Sequence, residues 1–351
     1  MTPRVAEALK IIAARKTLPR ELAESAFGDL MDGKATEAQK GAVLLGIATR
    51  GETADEIAGA VSALRARMRR VASRREPLLD TCGPGGLGRD LFNVSTAAAI
   101  VAAGAGAAVA KHGNRAISSK VGSADVLAAA GVAIELTPEA AGRQLDEVGL
   151  AFLFAPMFHP AMKELGTVRR ELGVRTIFNA LGPLANPAGA RRQVIGVPRP
   201  ELVRLLADAL SALGAERAIV FHSENGLDEL TPGVAAWGVE VRDGGTRPWR
   251  LEASTLSQEA VSLEELRGGD ASRNAGMLLE LLEAAPGPRR EAALANAALA
   301  LVVEGRARDV EDGYERARAS VDSGAARAVF ERLRSASESG LVRRSPEGGG
   351  G

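Results

Sequence analysis

Apolar positions recur at helical spacing through residues 3 to about 72. Over 54–68, Ile57, Val61, Leu64 and Met68 fall at i, i+4, i+7 and i+11, one stripe on one helix face. Start signals divide the stretch. Thr17-Leu18-Pro19 precedes a helix over 21–31, Ala35-Thr36 precedes a second, and Thr53 with Glu56 opens a third. The block carries no visible chemistry, so its pattern suits a dimerisation or lid module. From residue 77 the pattern changes to short apolar runs, at 107–110, 132–135, 150–154, 192–197 and 218–222. Helical segments lie between them, among them 123–130, 138–147 and 200–213. Strand–helix alternation predicts a mostly parallel sheet covered on both faces.

The expected fold class is therefore α/β, with a small all-helical N-terminal domain over 1–75 and a large α/β domain over 76–335. Residues 160–185 read as helical again and are expected to pack back on the first block. Residues 285–335 predict two or three long helices, and 336–351, ending in glycines, a disordered tail. No internal repeat is present.

The organising stretch is 80–115. The apolar run Pro77-Leu78-Leu79 enters a loop with glycine at 83, 85, 86 and 88, and Asn93, Ser95 and Thr96 then open an alanine-rich helix. The next strand delivers Lys111, His112, Asn114 and Arg115. Glycines let backbone N–H groups approach an anion, and a helix start aims unpaired donors and a positive dipole end at it. The stretch predicts a phosphorylated ligand. Gly83, Gly85 and Gly88 also match G-x-G-x-x-G, but the helix starts too late and Lys111 stands where a dinucleotide fold has an acid. A P-loop is excluded because no Gly-Lys-Ser/Thr follows.

Composition narrows this little. The 351 residues are 46% apolar and 25% charged, an ordinary globular balance. The formal net charge of zero offers no global field for nucleic acid or an anionic membrane. Cys82 is the only cysteine, which excludes disulfides within the chain and suits a reducing cytoplasm. No apolar run reaches transmembrane length and the N-terminus lacks a signal-peptide core, so no membrane association is expected.

Six stretches, in order, resemble the signatures of the anthranilate phosphoribosyltransferases. They are Phe92-Asn93-Val94-Ser95-Thr96, Lys111-His112-Gly113-Asn114-Arg115, the run 120–125, Phe158-His159-Pro160-Ala161-Met162, the run 168–183, and Gly226-Leu227-Asp228-Glu229. The resemblance covers roughly 5–335. It implies transfer of phosphoribose from phosphoribosyl pyrophosphate to the amine of anthranilate, with Mg2+, by a homodimer joined through its helical part.

On that resemblance the donor site comprises Gly83, Gly86, Leu87, Leu91, Asn93, Val94, Ser95, Thr96, the loop Lys111, His112, Gly113, Asn114, Arg115, Ser118 and Ser119, and Ser123. The acceptor site comprises Gly83, His112, Asn114, His159, Arg169, Gly182 and Pro183. Ser95, Asp228 and Glu229 hold the metal. Residue types alone leave alternatives open: an acidic helix start for Asp228-Glu229, a salt-bridged surface residue for Lys111, and a solvated helix charge for Arg169. His222 reads as packing.

Such a reaction needs leaving-group charge neutralised and reactants aligned more than a strong base. The inventory matches, with phosphate donors, a cation and paired carboxylates, and no Ser-His-Asp set. The chain departs from the family at the loop Gly-Thr-Gly-Gly-Asp-Gly and the Thr before Phe-Asn, where it has Pro84, Leu87 and Leu91. All three changes remove hydrogen-bonding groups. At ~1–3 kcal/mol each, the expected loss of donor recognition is on the order of hundred- to ten-thousand-fold. Two rival readings are a nucleoside phosphorylase of the same fold family and a silent relative that binds nucleic acid, the latter opposed by zero net charge.

Overall fold

The computed structural model describes residues 2–85, 90–116, 121–257 and 259–338. Four helices come first: α1 (Pro3–Ala13), α2 (Arg20–Met31), α3 (Glu37–Arg50) and α4 (Ala54–Arg65). Thr36 with Gln39, and Thr53 with Glu56, form complete capping boxes that start α3 and α4. α2 begins after Pro19 with no side-chain cap, so Thr17 does not open it. α4 ends at Arg65, which leaves Met68 off the stripe that Ile57, Val61 and Leu64 bury.

The rest of the chain runs β1 (Leu78–Asp80), α5 (Val94–Gly104), β2 (Ala108–Gly113), α6 (Ser123–Ala129), α7 (Pro138–Val148), β3 (Leu150–Phe154), α8 (Ala155–Phe158), α9 (Gly166–Leu172), α10 (Phe178–Leu184), β4 (Arg192–Gly196), α11 (Glu201–Ala212), β5 (Arg217–Ser223), β6 (Ala236–Arg242), β7 (Gly245–Leu251), α12 (Ala271–Leu282), α13 (Pro288–Glu304), α14 (Val310–Asp322) and α15 (Ala325–Glu338). The strands form one sheet in the order β3-β2-β1-β4-β5-β6-β7. The pairs from β3 to β5 are parallel, and β6 and β7 add an antiparallel edge. That edge was not expected from sequence, although Asp243 and Gly244, both at positive φ, make the two-residue turn a hairpin needs.

One expected strand is absent. Val132, Ile134 and Leu136 are buried alternately, as a strand would bury them, but among the described residues no ladder partner lies alongside, and the segment simply leads to the Thr137 cap of α7. In 160–185 a short 3-10 helix, Pro160–Leu165, precedes α9 and α10. Their apolar residues Leu165, Val168, Phe178, Leu181 and Leu184 join one buried cluster with α1–α4 and α11. The other sheet face packs on α5, α6 and α12–α15. Alternation along β5 divides the two cores: Ile219 and Phe221 face one, Ala218 and Val220 the other. No helix among the described residues is long and apolar enough to cross a membrane. Of the expected tail over 336–351, the first three residues belong to α15 and 339–351 lie outside the described residues.

Candidate active site

Strand order reverses at β1, whose neighbours are β2 on one side and β4 on the other. Ligands of open α/β sheets bind beyond the strand carboxyl ends at such a switch point. A cavity of about 950 Å³ opens there. Its wall includes Thr81, Cys82 and Gly83 after β1, Lys111 and His112 of β2, Val194 and Gly196 of β4, and Asp228 and Glu229 after β5. Gly196 is required by close approach, since a Cβ there would lie 1.7 Å from the Asp228 carbonyl oxygen.

β2 is longer than its sequence suggested and carries Lys111 and His112 within the strand. Consecutive strand residues face opposite sides, so these two neighbours serve different walls. Lys111 is buried, and its Nζ donates to Thr81 O (3.3 Å), Thr81 Oγ1 (3.3 Å) and Ser95 Oγ (3.4 Å). Each of these partners is neutral, so the salt-bridged surface alternative fails. Burial pulls the Lys111 pKa down while Cys82, Asp80 and Glu229 pull it up.

Asp228 and Glu229 lie in the loop between β5 and β6, and no helix starts there. The acidic helix-start alternative is thus overturned. Burial, and then the Asp228 carboxylate beside it, pushes Glu229 well above the usual range. The loop is pinned from below by Asn296 of α13, whose Oδ1 accepts Leu230 N–H (2.9 Å) and whose Nδ2 donates to Leu230 O (2.9 Å). Among the described residues, no group of three or more His, Cys, Asp or Glu side chains could hold a metal ion by itself.

His112 faces the other wall. A carbonyl only accepts, so His112 Nδ1–H donates to Gly182 O (3.0 Å) and Nε2 is left bare. His159 Nε2–H therefore donates to His112 Nε2 across 3.2 Å. Burial lowers both rings, to about 3 for His112 and about 4 for His159, so both are neutral at pH 7. Arg169 lies over the Phe178 ring, 5.5 Å from its centroid, and is half-buried rather than solvated as Arg170 is. Burial lowers its pKa as well. Asn114, Gly182 and Pro183 complete this side.

Not every expected donor-site residue reaches the cavity. Val94 and Thr96 are buried in the packing of α5 and lie off its wall. Val94 N–H donates to Phe92 O (2.8 Å) and Thr96 N–H to Asn93 Oδ1 (3.2 Å), so the chain caps these two first-turn donors itself. Gly83, Leu91, Asn93, Ser95, Gly113 and Ser123 stand on the wall. Arg115 does too, but it is tied to Asp125 Oδ1 at 2.9 Å. Leu91 also packs against the core beneath, bridged through its backbone to Arg267. Gly86, Leu87, Ser118 and Ser119 lie outside the described residues. His222 Nδ1–H donates to Val197 O (2.9 Å), and the ring stacks edge-on with Trp237, which is packing as expected.

Asp80 was missed. It is fully buried at the end of β1, where its Oδ1 accepts His112 N–H (3.1 Å) and its Oδ2 accepts Asn186 Nδ2–H (2.7 Å). Asn186 also donates to Ala110 O (2.8 Å). Burial pushes Asp80 up to about 6, against Asn186 and Lys111. A side chain thus replaces a ladder bond where β1 and β2 part to open the cavity. No local pattern signals this, because its partners lie 32 and 106 residues away.

Two family models match the chain. The glycosyl transferase family helical bundle domain matches residues 6–68, and the glycosyl transferase family a/b domain matches 75–327. The anthranilate phosphoribosyltransferase of Anaeromyxobacter sp. (strain K) is 50% identical over 329 residues, covering 94% of this chain and 97% of that one. That of Azorhizobium caulinodans is 47% identical over 332 residues, covering 94% and 96%. The crystal structure of the Thermus thermophilus enzyme superposes with a TM-score of 0.89 at 41% identity, covering 95% of this chain and 99% of that one. The Saccharomyces cerevisiae enzyme in complex with PRPP and Mg has a TM-score of 0.87 at 24% identity, a likeness of fold. The chain belongs to the anthranilate phosphoribosyltransferase family. These matches do not favour the phosphorylase or nucleic-acid alternatives.

Proposed function

We propose that the protein transfers the phosphoribosyl group of phosphoribosyl pyrophosphate to the amine of anthranilate, releasing pyrophosphate, as a glycosyltransferase of tryptophan biosynthesis. The observation that carries this reading is the division of one cavity by β2. A buried cation and a carboxylate pair line one side, and neutral imidazoles with a stacked guanidinium line the other.

The acceptor's carboxylate pairs with Arg169, and its ring lies against His159 and the Gly182-Pro183 wall. Asn114 stands where both substrates meet. Lys111 takes charge on the donor's phosphates, a task suited to a buried ammonium bonded only to neutral groups.

The donor set fits magnesium. Two adjacent, half-buried carboxylates, with the Ser95 hydroxyl, are hard oxygen ligands that leave positions for substrate oxygens. When bound, Mg2+ neutralises charge on the departing pyrophosphate. Asp228, Glu229 and Ser95 would hold it. The yeast relative's complex with PRPP and Mg supports both donor and metal.

The helical part, 1–75 with 160–185 against it, serves as the dimerisation domain of a cytoplasmic homodimer, and 76–335 as the catalytic domain. Loss of anthranilate fluorescence on mixing with donor and Mg2+, matched by pyrophosphate release, tests the activity. Anthranilate consumption only when thymidine or uridine phosphorolysis also runs, or none at all, overturns it.

A further inference from the structure

The end of α10 is held in an unusual way. A helix leaves its last carbonyls without partners in the helix, and α10 also contains Pro183. Three consecutive carbonyls there are each taken by a side chain from a different element. Gly182 O accepts from His112 of β2 (3.0 Å), and Pro183 O from Gln193 Nε2 of β4 (2.6 Å). Leu184 O accepts from both Nε (3.0 Å) and a terminal nitrogen (2.6 Å) of Arg65 of α4. Two clamps come from the sheet and one from the helical bundle.

Arg65 is the costly member. It is half-buried, and among the described residues no carboxylate pairs with it. A desolvated guanidinium without a carboxylate is unfavourable, offset here by the negative end of the α10 dipole. Packing does not require it, because Phe178, Leu181 and Leu184 already bury the apolar face of α10. What the fork adds is a fixed position for the helix end that carries Gly182 and Pro183. Leu64, the preceding residue, itself reaches the cavity wall.

We infer that Arg65 is a positioning residue of the acceptor site: from the helical bundle it fixes the Gly182-Pro183 wall against which a planar aromatic carboxylate binds. The inference rests on the acceptor reading given above. It gives the bundle, whose sequence showed no chemistry, a part in acceptor binding through α10.

Steady-state kinetics and direct anthranilate fluorescence titration of Arg65→Met and Arg65→Lys test it. Arg65→Met, which removes both charge-assisted hydrogen bonds to Leu184 O, is expected to raise KM and Kd for anthranilate about tenfold, while donor KM and kcat stay within about twofold. Arg65→Lys keeps the charge without the fork and should recover part of the loss; if Arg65→Met does not fold, it carries the test alone. Unchanged anthranilate KM and Kd, or equal rises in both KM values with a lower Tm, overturn the inference and leave the function standing. Wild-type protein that neither binds nor consumes anthranilate sinks both.

Discussion

Lys111 and His112 are adjacent in sequence, yet they anchor two differently built walls. On the Lys111 side stand formal charges: a buried ammonium hydrogen-bonded to neutral oxygens, and the half-buried Glu229 carboxylate pressed against that of Asp228. On the His112 side the backbone amide, the Nδ1 and the Nε2 each have a partner, and both rings are neutral. The Lys111 wall gathers an ammonium and two carboxylates for a charged ligand and cation; the His112 wall offers a pre-shaped neutral surface for a flat ring, with Arg169 beside it for the ring's carboxylate. Preorganisation reduces the ordering cost of binding, and a low-dielectric site strengthens an ionic contact. The comparison teaches that the two substrates are recognised by different physics within one cavity.

Removing the Lys111 wall's acids should have the largest effect. Glu229→Gln is expected to lower kcat/KM about a thousandfold and abolish its dependence on Mg2+ concentration, with anthranilate binding by fluorescence unchanged. A Mg2+ response that persists would mean the carboxylate pair is structural. Next comes restoration of the family's loop by Pro84→Thr, Leu87→Asp and Leu91→Thr. Donor kcat/KM should rise by roughly a hundredfold or more. No gain would mean that backbone donors suffice; for Leu91, the apolar contact with the core beneath then explains its tolerance.

The clamped wall makes a smaller, pH-dependent prediction. Both histidines have folded pKa values below their ordinary 6.5, so the unfolded chain binds protons that the native rings refuse. Stability should therefore fall as pH drops from about 6.5 towards 4. Asp80 has the opposite sign: raised from 3.8 to about 6, it stabilises the fold as pH falls through that window. Two rings outweigh one carboxylate. The Tm of the wild type should drop between pH 7 and 5 by roughly 2–4 °C more than that of His159→Asn; equal drops would place the proton elsewhere. Smallest is the thiol between the walls. Desolvation and the neighbouring Asp80 push the half-buried Cys82 thiol up to about 12, so iodoacetamide at pH 8 should modify it far more slowly than a free cysteine, as mass spectrometry would show.

The helical block, the alternation after residue 77 and the six motifs were legible because each rests on local rules. Capping boxes act within three residues, as at Thr53 and Glu56, and strand alternation within two. The β6–β7 hairpin is marked locally too, since Asp243-Gly244 is a turn signal. The 132–135 segment shows the converse. Its alternating burial is that of a strand, but a strand needs a neighbour, and composition does not supply one.

The sequence by itself determined the elements, the order of the motifs and the residue types of both walls, because propensity, capping and periodicity are short-range. Only the tertiary structure decided which face of β2 each residue serves, which charges are brought together, and that Asp80, Asn186, Gln193 and Arg65 hold the site open. Those roles rest on hydrogen bonds such as Arg65 to Leu184, 119 residues apart, and Asn186 to Asp80, 106 apart. A buried polar group must find a partner somewhere, but the chain's local pattern does not say where.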